Sequence, residues 1–73
     1  MSIGQTIKEY RKRRGLTQRE LAKEINLSRS YLGDIEGDRY NPSVKTLRAI
    51  ADVLQIPANK MFGEGGFPEN EPQ

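Results

Sequence analysis

The sequence predicts an all-α domain, a compact bundle of five short helices. Apolar residues recur at three- and four-residue spacing from Ile3 to Met61, and no stretch alternates apolar with polar as a half-buried strand would. Thr17, Ser28 and Ser43, all residue types that cap helices, stand directly before periodic segments. Glycine, asparagine and proline fall between the segments, where helices must stop.

The first helix is expected from Ile3 to about Arg14, because Ile3, Ile7 and Tyr10 share one helical face. Gly15 ends it, since glycine enters the left-handed conformation of a helix terminus without steric cost. Thr17 and Glu20 have the spacing of a capping box, and Leu16 is placed to pack on Leu21 as a hydrophobic staple. The second helix then runs from Gln18 to about Ile25, burying Leu21, Ala22 and Ile25, with small Ala22 where two helices cross closely. Asn26 suits the centre of a tight turn because asparagine tolerates a positive backbone angle. Leu27 drops into the core and Ser28 caps a third helix through about Glu36, with Leu32 and Ile35 inward and Gly37 closing it.

Asp38 to Pro42 is a polar loop, after which Ser43 caps a fourth helix burying Val44, Leu47, Ile50, Ala51 and Leu54. Ile56–Pro57 interrupts, and a final turn or two begins at Pro57 or Ala58 and ends with Met61 and Phe62. Residues 63–73 hold three glycines and two prolines with little apolar area, so a mobile acidic tail is expected after a folded domain of residues 1–62.

Composition removes several classes of function. With no cysteine and no histidine, disulfide frameworks, zinc fingers and Cys/His nucleophiles are excluded. Acidic residues do not cluster at a calcium-loop spacing, no cofactor is implied and no small-molecule ligand is evident. No apolar run is long enough to cross a bilayer, so no membrane partner is expected, and the lack of cysteine fits a cytoplasmic protein. An enzyme is not expected, because no carboxylate pair or phosphate-cradling glycine loop is present. The formal charge of +2 says little, but its distribution does: Lys8 to Arg29 holds eight basic residues against three acidic ones. That asymmetry favours a polyanionic partner, against the plainer reading of a solvated helix surface.

The segment Thr17–Glu36, with Gln18, Ala22, Asn26, Leu27, Leu32 and Ile35 at their mutual spacing, followed by Asn41–Pro42–Ser43 and Leu47, resembles the Cro/C1-repressor-type helix-turn-helix regulators, the XRE family. The resemblance covers about Ile3 to Phe62. One departure is Asn26, where the family commonly has glycine; asparagine meets the same backbone need at modest cost. The resemblance implies a lambda-repressor-like domain that binds a palindromic double-stranded DNA operator as a homodimer, with the third helix in the major groove. A bacterial or phage regulator, most simply a repressor that obstructs polymerase, is the implied function. The alternative within the same fold is a protein-interaction module or antitoxin, which would expose an apolar patch on the third helix instead of Arg29 and Ser30.

The resemblance places Arg29, Ser30 and Asp34 at base-reading positions. Arg29 has the fork to reach guanine O6 and N7, or else contacts a phosphate or solvent; Asp34 can accept from cytosine N4, or orient Arg29, or play a neutral part. Phosphate contacts are expected from Gln18, Arg19, Tyr31, Arg39, Asn41, Ser43 and Lys45; the resemblance also has Gln18 reaching across to the third helix, and Tyr31 is equally placed to stack on the backbone or a thymine methyl or to pack on the second helix. Arg13 and Arg14 add sequence-independent affinity. Arg11 and Glu36 are expected to form the family's partly buried salt bridge, and Ile56, Met61 and Phe62 either form an exposed dimerisation seam or seal the core.

Overall fold

A computed structural model describes residues 2–62, apart from the side chain of Phe62. The tail expected at 63–73 lies outside the described residues. Five helices follow in order: α1 (Ile3–Arg13), α2 (Gln18–Glu24), α3 (Arg29–Glu36), α4 (Val44–Leu54) and α5 (Ala58–Phe62). Each expected helix is present, and the described residues contain no strand.

Local chemistry sets the boundaries. Thr17 Oγ1 accepts from the Glu20 amide at 3.0 Å while the Glu20 carboxylate accepts from the Thr17 amide at 2.8 Å, which closes the capping box at the start of α2. Those two bonds, the backbone one first, hold the Glu20 carboxyl below its ordinary value of 4.5. A lowered folded value means that this cap contributes fully above 4.5 and is lost as the pH falls through the lower folded value. Ser28 and Ser43 cap α3 and α4 by accepting from the amides of Tyr31 and Thr46. Asn26 takes φ +59° in the turn between α2 and α3, as its amide side chain allows.

Some details depart from the sequence reading. Ser2 and Gln5 form a second reciprocal capping box at the start of α1, a Ser-x-x-Gln spacing that was there to be read. Ile3 is 37% exposed, so the inward face of α1 is instead Gly4, Ile7 and Arg11, with Tyr10 half-buried. Gly37 ends α3 as expected, at φ −88°, and the left-handed residue follows it, Asp38 at φ +59°. Val44 is half-buried at the first turn of α4, where it still borders solvent.

The core is continuous. Ile7, Leu21, Leu32, Ile35, Ile50 and Leu54 are fully enclosed, with Ala22 permitting the close approach of α2 to α3. Ile56 and Met61 are 5% and 2% exposed and belong to this core. The reading of these two as an exposed dimerisation seam is therefore corrected: α5 packs back on α1, and a bundle this small needs their apolar area to close it. No helix among the described residues is long and apolar enough to cross a membrane, and none of their acidic residues group as metal ligands.

Candidate nucleic-acid interface

The functional geometry begins with a buried ion pair. Arg11 on α1 donates from Nε to Glu36 Oε2 at 2.7 Å and from Nη2 to Oε1 at 3.1 Å, so the end of α3 is clamped bidentately to α1. The two side chains are 9% and 2% exposed. Arg11 Nη1 also donates to the Leu16 carbonyl at 2.8 Å, which ties the turn before α2 to the same guanidinium. No buried side-chain polar atom among the described residues lacks a partner.

Glu36 carries the arrangement outward. Its Oε1 also accepts from Gln18 Nε2 at 3.1 Å, and Gln18 Oε1 accepts from Arg29 Nη1 at 3.4 Å. The amide of Gln18 is thus fixed in one orientation, with its nitrogen toward Glu36 and its oxygen toward Arg29. Arg11, Glu36, Gln18 and Arg29 form one chain from the interior to the exposed start of α3. The reach of Gln18 to the third helix matches what the resemblance implies; that it ends on Arg29 was not specified, because residues eleven apart on different helices leave no periodic signal.

Arg29 and Ser30 are exposed on the first turn of α3. A cation at the positive end of a helix gains nothing from that helix, so Arg29 sits where only a partner outside it gives the charge a use. Asp34 lies one turn further on, half-buried, with its carboxylate 3.9 Å from Arg39 Nη1. At that distance, with the Arg39 side chain 80% exposed and that of Asp34 49%, the pair contributes little stability and leaves Arg39 easy to redirect.

Tyr31 packs against the core from α3 and meets Tyr40 edge-to-face, with ring centroids 4.8 Å apart. Desolvation first, and Tyr40 second, raise the Tyr31 hydroxyl above its ordinary value of 10.0, so it is neutral at physiological pH and does not repel an anion. The Tyr31–Tyr40 contact attaches the loop to α3; sequence reading had Tyr31 against the DNA or packing on α2, and not this pair. Arg39, Asn41, Ser43 and Lys45 are exposed along the loop and the start of α4, and Arg19 is exposed on the first turn of α2.

Two capped helices, crossing at a small residue around a positive-φ turn, carry an exposed basic residue at the start of the second. Residues 7–60 match the model of the helix-turn-helix family. The chain belongs to that family.

This helix-turn-helix domain is 58% identical over 64 residues to the immunity repressor protein of Bacillus phage phi105, covering 88% of the chain and 44% of that relative. It is 36% identical over 72 residues to the transcriptional regulator SinR of Bacillus licheniformis, covering 97% of the chain and 65% of SinR. The chain therefore spans less than half of the phage repressor and 65% of SinR. Among solved structures, the N-terminal DNA-binding domain of SinR from Bacillus subtilis superposes with a TM-score of 0.76 at 36% identity, covering 94% of this chain and 96% of that one. A structure of SinR in complex with DNA superposes with a TM-score of 0.69 at 42% identity, covering 74% and 87%.

Proposed function

We propose that this helix-turn-helix domain is a sequence-specific DNA-binding transcriptional regulator, acting as a repressor. Two copies occupy a palindromic operator with α3 in the major groove, where Arg29, Ser30 and Asp34 meet base edges. Gln18, Arg19, Tyr31, Arg39, Asn41, Ser43 and Lys45 meet phosphates on either side, and the setting is the cytoplasm. The observation that carries this reading is the exposed guanidinium of Arg29, braced by Gln18, which Glu36 in turn orients. The repressor name of the phage relative and the DNA-bound SinR structure support it.

A protein-interaction role would need an apolar face on α3. The exposed large apolar side chains among the described residues are Ile3 and Tyr40, and neither lies on α3. Pairing of two copies uses surface other than Ile56 and Met61, which the core has already taken.

Selection of bound sequences from random duplex DNA tests the reading. The expected result is an enriched site with two-fold symmetry and half-sites about 10 base pairs apart, centre to centre. Absence of enrichment would remove the proposal, and an asymmetric single site would remove the dimer from it.

A second expected result concerns Gln18. Gln18→Ala should weaken binding to the selected site and to random DNA by comparable factors and leave the salt slope unchanged, because a neutral amide displaces no counterion. Fluorescence titration across a salt series reads both quantities. A loss confined to one base pair of the site would contradict a phosphate role for Gln18.

A further inference from the structure

Asp38 stands just past the end of α3 at φ +59°, a conformation that residues other than glycine enter at a cost. Its carboxylate reaches across to the first turn of α1. Oδ2 accepts from the Ser2 hydroxyl at 2.6 Å, and Oδ1 accepts from the Gly4 amide at 3.1 Å. An anion there meets the free amides and the positive end of α1, so the contact is charge-assisted. Gly4 makes the approach possible: a Cβ would lie 2.5 Å and 2.6 Å from the carbonyl oxygens of Ile35 and Glu36, and 2.7 Å from Asp38 Oδ1.

The consequence falls on the loop that follows. Arg39 donates its amide to the Asp34 carbonyl at 2.9 Å and Tyr40 leans on Tyr31, so the loop is tied to α3 from one side. On the other side a groove of 220 Å³ lies among Ile3, Ile35, Asp38, Tyr40, Pro42 and Leu47. Packing beneath the loop is therefore incomplete, and the Asp38 carboxylate ties it to the start of α1 through Ser2 and Gly4. Charge sharpens the point: a carboxylate next to Arg39 opposes a polyanion, so on electrostatics alone its removal would strengthen DNA binding.

We propose that Asp38 is a positioning residue: its bonds to Ser2 and Gly4 hold the 38–42 loop so that Arg39 and Asn41 face the phosphate backbone. This rests on the DNA-binding reading above. Asp38→Asn keeps an acceptor for the Gly4 amide, offers a donor to Ser2 and tolerates positive φ, while losing the charge. Asp38→Gly tolerates the same backbone angle and loses the side chain.

The experiment titrates both variants and the parent with a short random-sequence duplex across a potassium chloride series, at a temperature where circular dichroism shows all three folded. Asp38→Gly should bind about fivefold more weakly with a salt slope reduced by about one, and Asp38→Asn should bind at least as tightly as the parent. If Asp38→Gly binds as tightly as the parent or more tightly, the charge effect wins and the positioning role is overturned. Amide exchange at Arg39–Asn41, measured without DNA, separates this failure from failure of the DNA-binding reading. If the parent shows no salt-dependent binding, that reading falls. Faster exchange in Asp38→Gly, with Asp38→Asn unchanged, then still supports loop positioning, and equal exchange in all three overturns it.

Discussion

Glu36→Gln should bring the domain to the edge of unfolding at 25 °C. The substitution keeps the shape of the side chain and removes its charge, so the Arg11 guanidinium, 9% exposed, stays buried without a counter-charge. Breaking one partner of such a pair costs about 3–5 kcal/mol. A single core below about 70 residues rarely supplies more than 3–5 kcal/mol in all, so the loss is comparable with the total. Urea unfolding followed by circular dichroism reads the change. The apolar double replacement Arg11→Met with Glu36→Leu should recover most of that stability, because it removes both desolvation penalties together. It should not recover DNA binding, because Gln18 then loses the acceptor that orients its amide. A single variant with near-parent stability would show that the pair contributes little net energy. A double variant that binds DNA normally would show that Gln18 needs no anchor.

That separation also explains what was legible in the sequence. Helix starts were readable at Thr17, Ser28 and Ser43 because a cap acts over three residues and leaves a local signature. The enclosed positions of α2 and α3 followed from spacing, since a helix repeats its faces at a fixed period. The positive φ at Asn26 followed from residue type. By contrast, Asp38 contacts α1 from 34 and 36 residues away, and Gly4 is small because another helix ends against it. Neither fact has a local trace. Ile56 and Met61 were ambiguous for a different reason: a short apolar helix reads alike whether it faces a second copy or its own core, and the packing of α5 on α1 decides. The outward residues of the candidate interface were nameable at Arg29, Ser30 and Asp34, and the resemblance brought Gln18 across to the third helix without specifying Arg29 as its partner.

Arg29→Ala should lower affinity for the selected operator by more than tenfold while changing affinity for random DNA only slightly. A bidentate guanidinium on guanine discriminates by about 1–3 kcal/mol, and a tenfold loss lies inside that range. Random DNA offers no such base edge at a fixed position, so there the same side chain contributes only charge. Arg29→Lys divides the two effects: it keeps the charge but lacks the planar fork, so it should retain random-DNA affinity and still lose most of the operator preference. The free protein supplies an independent check. Arg29 is the first residue of α3, where a cation opposes the helix dipole by about 0.3–1 kcal/mol, and its bond to Gln18 is long at 3.4 Å on an exposed surface. Arg29→Ala should therefore leave the melting temperature unchanged or slightly raised. Equal losses on operator and random DNA would reduce Arg29 to a phosphate contact. A clear fall in melting temperature would instead show that the side chain serves the fold, because a residue held only for its DNA partner has no stability to lose when that partner is absent.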